Sequence, residues 1–179
     1  MKQRRLEMPV SVKGGIELRK ALRNFAPELG KETQKEIASY LKPVVKEARG
    51  FIPSQSPLSN WAREGGKFPV FNAPIMRRGI GYKTTPSKPN PRGFRALAQL
   101  RNLSGAGAIY EIAGRNAPGT KPRSRPNFAE SFPAMTGKGR DQGRALYAAW
   151  ENDKGKATLA VVKAIENAGK TFNRMVGNR

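Results

Sequence analysis

PELGKETQKEIASYLKPVVKEAR, residues 27–49, is the stretch whose reading decides the fold. Leu29, Thr33, Ile37, Tyr40, Leu41, Val44, Val45 and Ala48 recur at steps of three and four, which puts them on one stripe of a 3.6-residue helix. The opposite face is Lys, Glu and Gln. Pro27 suits a first helical position, where its missing N–H would have no partner, and Glu28 sets a negative charge at the positive end of the dipole. Lys46 and Arg49 fall in the last turn and Gly50 follows as a C-cap. Pro43 removes one backbone hydrogen bond, so the pattern predicts a kink there; the apolar stripe continues past it. At 1.5 Å per residue the helix is roughly 34 Å long, enough to cross a small sheet.

The rest of the 179 residues divides around this helix. Fourteen Pro and 19 Gly gather mainly between residues 50 and 143, which leaves the two ends as the helical parts. Residues 1–13 read as a basic N-terminal arm and 14–179 as one α+β domain with loop excursions at about 51–74 and 115–139. Ile16, Leu22 and Phe25 make a short amphipathic turn before Pro27. Residues 75–85 suit a strand bent at Gly79 and Gly81, 87–93 are turn chemistry, and GAGAIYEIAG alternates as a second strand. Helical spacing resumes from Arg140, with Asp153 as N-cap of a last helix carrying Leu159, Val162, Ile165, Ala168 and Phe172. The expected fold is α+β: a long kinked N-terminal helix and a C-terminal helix packed on a small antiparallel sheet of three to five strands, with long Pro/Gly-rich basic loops.

Composition excludes much chemistry. The absence of Cys and His removes Cys/His zinc sites, thiol nucleophiles, Ser-His-Asp triads and imidazole acid–base work. No cofactor is implied. The basic start lacks the apolar run of a signal peptide, and no segment reaches the ~18 apolar residues of a membrane helix, so no membrane partner is expected. TGKGR at residues 136–140 lacks the spacing of a phosphate loop. Glu32 and Glu36 lie among lysines on a solvated helix face, and Thr120 beside Lys121 has no oxyanion hole to serve it.

Charge is the strongest signal: 34 Lys and Arg against 13 Asp and Glu give +21, a field that attracts polyanions. Between residues 50 and 101 nine basic residues meet one acid, Glu64. Arg77, Arg78, Lys83, Lys88, Arg92 and Arg95 form one basic stretch and Arg115, Lys121, Arg123 and Arg125 another, a pattern suited to phosphate contacts without base reading. An acidic protein surface and plain solvation are the other readings. The rings of Phe51, Trp61, Phe68 and Phe71, set between Pro and Gly, either close one end of the core or dock on another chain.

In order, a long first helix with an internal Pro43, the loop at Ile52-Pro53, the stretch Ile109-Tyr110-Glu111-Ile112-Ala113-Gly114, Phe132-Pro133-Ala134 and a C-terminal helix resemble the head-tail joining, or tail-completion, neck proteins of tailed bacteriophages. Tyr110, Glu111 and Gly114 match the aromatic-Glu-Gly segment that ends that family's sheet, and Phe132, Pro133 and Ala134 its segment before the last helix; SQSPLSNW replaces its Thr-Gly-x-Leu segment. The resemblance implies a non-enzymatic virion protein made in the host cytoplasm. It would be repeated as a homo-oligomeric ring in the neck between portal-side connector proteins (adaptor or stopper) and the tail terminator or tail tube, with double-stranded DNA passing through the lumen. It further implies that Arg77, Arg78, Lys83, Lys88, Arg92 and Arg95 face DNA or an acidic neighbour, and that Trp61, Phe68, Phe71, Tyr110, Glu111, Phe128 and Phe132 meet adjacent subunits. A basic nucleic-acid-binding or packaging factor, and a tail-terminator or minor capsid protein, are the alternatives.

Overall fold

A computed structural model of the chain describes residues 14–58, 61, 69–115, 131–137 and 141–177. Among these the fold is α+β, with helices α1 (Gly15–Phe25), α2 (Pro27–Gly50), α3 (Ala73–Gly79), α4 (Gly105–Ile112), α5 (Leu146–Asp153) and α6 (Lys156–Gly177), and a two-stranded antiparallel sheet of β1 (Ile80–Lys83) and β2 (Gln99–Asn102). The basic arm, Phe68, Phe128, Lys121, Arg123 and Arg125 lie outside the described residues.

Helix α2 runs through Pro43 to Gly50, as its stripe requires: Thr33, Ile37, Leu41, Val44, Val45 and Ala48 are all buried. Each large apolar member contributes about 1.5–3 kcal/mol relative to exposure. Thr33 satisfies its hydroxyl on the Leu29 carbonyl at 2.7 Å, so a polar group can sit in the stripe. Tyr40 instead stands partly out of it, bonded to Glu36 Oε1.

The sequence pointed to one domain over 14–179, but the described chain groups into two compact units. One holds residues 44–81 and 101–154, the other 14–43, 82–100 and 155–177. Helix α2 and both strands run from one unit into the other. In the first unit Trp61, Phe71, Tyr110 and Phe132 form an aromatic chain, with ring centroids 5.3 Å apart for Trp61 and Phe71, 5.7 Å for Trp61 and Phe132, and 6.1 Å for Tyr110 and Phe132. Such pairs add about 0.5–1.5 kcal/mol to their burial. Their polar ends are satisfied too: Trp61 Nε1 donates to the Pro69 carbonyl at 2.8 Å and Tyr110 Oη to the Phe51 carbonyl at 3.0 Å.

Four expectations change here. Among the described residues the sheet has two strands where three to five were expected, because two of the segments concerned are helical. Residues 73–79 are helical because Asn72 accepts from the Ile75 N–H at 3.0 Å and Pro74 opens the first turn, leaving the strand to begin at Ile80. GAGAIYEI is helix α4, not a strand. Ser104 caps it on the Gly107 N–H at 3.1 Å, and the buried set Ala106, Gly107, Tyr110 and Glu111 has helical spacing. Asp153 closes α5 instead of capping the last helix; Lys154 takes the left-handed conformation, φ 51°, and turns the chain through Gly155 into α6.

Helices α4 and α5 hold each other by their ends. Glu111, fully buried, reaches from α4 to accept the N–H groups of Ala145 (3.1 Å), Leu146 (2.9 Å) and Tyr147 (2.9 Å) at the start of α5, which has no cap from its own N-cap residue. Arg144, just before α5, donates to the carbonyls of Tyr110 (3.0 Å) and Ala113 (2.8 Å) at the end of α4, and to Pro133 (2.6 Å). Each charge sits at the helix end whose dipole it complements. Burial pushes the Glu111 carboxyl above its ordinary value, while the three N–H groups and the nearby Arg144 pull it back down. Gly143 is required beside it, since a Cβ there would overlap Glu111 Oε1.

Because the three N–H groups use both carboxylate oxygens, an amide cannot serve them all. Glu111→Gln is therefore expected to lose about 3 kcal/mol of unfolding free energy, read from urea denaturation, with Glu32→Gln on exposed α2 surface as the control at under about 1 kcal/mol. A loss for Glu111→Gln no larger than the control's would refute the capping role.

Candidate functional site

The second unit carries a basic cleft. Helix α1 sets Ile16, Arg19, Lys20 and Arg23 at steps of three, one and three, one stripe beside the buried Leu22. Helix α2 adds Gln34, and the segment after β1 adds Thr85, Pro86 and Arg95; together they line a depression of about 350 Å³. A smaller one of about 220 Å³ shares Arg19, Arg23 and Gln34 and includes Lys31 in its wall. No carboxylate lines either.

Local chemistry explains why these groups are held in place. The segment closes on itself, with the Ser87 N–H donating to the Ala96 carbonyl at 2.8 Å and the Ser87 hydroxyl accepting from the Ala96 N–H at 2.9 Å. Asn90 Oδ1 accepts from the N–H groups of Arg92 (3.0 Å) and Phe94 (2.9 Å), and Gly93 supplies the positive φ of 76° that the turn needs. Arg95 Nε donates to the Ser87 carbonyl at 3.0 Å, and Arg19 Nη1 to the Leu97 carbonyl at 2.7 Å, which ties α1 to the segment. Burial pulls the Arg19 guanidinium below its ordinary value, yet a guanidinium remains charged in a protein. The cleft thus offers fixed cations flanked by an amide and a hydroxyl. Its lining suits anion binding through charge-assisted hydrogen bonds.

The structure separates the residues expected to contact DNA or an acidic neighbour. Arg77 and Arg78 belong to the first unit, Lys83, Lys88, Arg92 and Arg95 to the second, so they are not one patch of a single unit. All but Arg77 are exposed, and of the six only Arg95 is among the residues lining the cleft. Arg77 is half-buried and donates to the Ile52 carbonyl at 2.8 Å, a structural bond.

The expected subunit contacts are corrected as well. Trp61, Phe71, Tyr110 and Phe132 are buried in their own unit and Glu111 is fully enclosed, so these side chains make a core and not a surface for a neighbour. The strand to which the resemblance assigned Tyr110 and Glu111 is helix α4. The cations of α1 lie outside the Pro-rich loops that dominate the basic composition; their signal in the sequence is the RKALR spacing, which sets Arg19, Lys20 and Arg23 along one stripe flanked by Leu22.

No known protein family, curated protein or solved structure matches the chain. Among the described residues, no group of three or more His, Cys, Asp or Glu is placed to hold a metal ion, and no helix is long and apolar enough to cross a membrane.

The two neighbouring arginines of α3 should therefore behave differently. Arg77→Ala leaves a carbonyl without its charged donor and is expected to lower unfolding free energy by about 1.5–3 kcal/mol, while Arg78→Ala stays within about 0.5 kcal/mol. Urea denaturation of both variants checks this, and equal midpoints would refute it.

Proposed function

We propose that this chain is a structural protein of a tailed-phage particle that joins the DNA-filled head to the tail as a ring in the neck, and that it acts by assembly and polyanion contact and not by catalysis. The observation that carries the reading is the cleft of Arg19, Lys20, Arg23 and Arg95, free of carboxylates, on a chain of charge +21. A repeated subunit this basic needs a polyanion or acidic neighbour within a Debye length of about 8 Å to limit self-repulsion. The order of motifs along the chain adds the resemblance to neck proteins, although its aromatic-Glu-Gly segment is helical here.

Glu111, the carboxylate whose burial would otherwise suggest acid–base work, is consumed by three backbone N–H groups, which supports an architectural role for it. The portal-side connector, the tail terminator or tail tube and the DNA in the lumen are the partners this reading names. The cleft also fits a packaging factor that handles DNA without entering the particle.

Loss of the gene separates the two. The neck reading expects heads that fill with DNA but carry no stable tails, and the protein itself in purified virions at a constant copy number. Heads that fail to fill, with the protein missing from virions, would overturn it in favour of the packaging factor. Mass spectrometry of virions and electron microscopy of the mutant lysate give both readouts.

A further inference from the structure

The basic cleft has a geometry that narrows its ligand. Arg19 and Arg23 are one turn apart on α1, about 6 Å along its axis, with Lys20 between them in sequence and Arg95 lining the same depression. Three cations within about one turn of α1, and Arg95 from a separate segment lining the same depression, suit a polymer whose charges repeat at short, regular intervals. Double-stranded DNA carries one charge per about 3.4 Å of rise on each strand. The carboxylates of a folded acidic protein have no such repeat.

The other lining residues agree. Gln34 and Thr85 supply neutral donors of the kind that bond phosphate oxygens. No aromatic ring lines the cleft, so it offers nothing for an unpaired base to stack on. Arg19 is held by the Leu97 carbonyl and Arg95 by the Ser87 carbonyl, so both guanidinium groups are oriented before a ligand arrives, which lowers the ordering cost of binding.

We propose that the cleft formed by Arg19, Lys20, Arg23, Gln34, Thr85 and Arg95 is a binding site for the phosphodiester backbone of double-stranded DNA, sequence-independent and built into the single subunit. The proposal rests on the polyanion part of the preceding reading and not on a place in the neck. Arg19 and Arg95 act as oriented clamps, and Lys20 and Arg23, both exposed, as the contacts that release counterions.

The test uses the purified full chain and a fluorescein-labelled 20-base-pair duplex of arbitrary sequence, followed by anisotropy between about 50 and 200 mM KCl. The triple variant Lys20→Ala, Arg23→Ala, Arg95→Ala is compared with Lys42→Ala, Lys163→Ala, Lys170→Ala, which removes equal charge from exposed positions of the same unit. The cleft variant is expected to bind at least about tenfold more weakly at the lowest salt and to lose about 2–3 from the slope of log K against log salt, since each phosphate contact contributes about 0.9. The control should keep its slope within about 1.

Equal losses in the two triples would overturn the proposal, because the attraction would then belong to the net charge. Displacement of the duplex by a poly-glutamate of matched charge at equal concentration would also overturn it, in favour of an acidic protein partner. Urea midpoints within experimental error of the parent show that either triple is folded. Should the cleft triple unfold, Arg23→Gln alone, an exposed change, is measured for a slope loss of about 1. A protein found in the neck whose cleft variant binds DNA unchanged refutes this site alone, and a DNA-binding cleft on a protein absent from virions refutes the neck reading alone.

Discussion

The first unit depends on an exchange of charges between two short helices. Helices of eight residues are too short to stand alone in water, and neither α4 nor α5 has the polar cap it needs at the end facing the other. Glu111 and Arg144 supply those caps reciprocally, and Arg144 also packs on the aromatic chain, its guanidinium 4.8 Å from the centroid of Phe132. Breaking either side leaves a buried charge and orphaned backbone groups at once, and Gly143 tolerates no side chain because a Cβ there would overlap the Glu111 carboxylate.

This interaction also shows what a linear reading can and cannot reach. The long helix α2 was legible residue by residue, because a stripe of eight apolar or small positions over 23 residues, opened by Pro27, has one solution. The turn at 87–93 was equally plain, since Asn90 and Gly93 carry their own conformational preference. Helix α4 was misread: YEIAG alternates well enough for a strand, and the preference was reversed by the Ser104 cap and by the distant Ala145, Leu146 and Tyr147 N–H groups that draw Glu111 inward. For the site, the loop arginines were visible as composition, but their division between two units was not. The cations of α1 were visible as spacing and became a site only when the folded segment carried Arg95 alongside them.

Arginine has two uses in this protein, and the net charge conceals the difference. Arg49 donates to the Ile80 carbonyl, Arg77 to Ile52, Arg115 to Gln142 and Arg144 to three carbonyls, so these four arginines are employed in tying the backbone together. The forked guanidinium suits this work in a way an ammonium does not. Among the exposed cations of the described residues, Lys20, Arg23 and Arg95 are the ones that line the cleft of the second unit.

The interleaving of the two units sets the order in which a nascent chain can mature. The second unit needs α1, near the start, and α6, at residues 156–177, which pack on one another with Leu18 Cδ2 within 3.3 Å of where a Cβ on Gly169 would lie. Its long-range contacts therefore wait for the last helix to leave the ribosome, whereas residues 44–154 already contain every described element of the first unit. Synthesis thus makes the aromatic core with its exchanged caps first and the basic cleft's full support last, so that a chain arrested or clipped before α6 would keep the first and lose the packing behind the second.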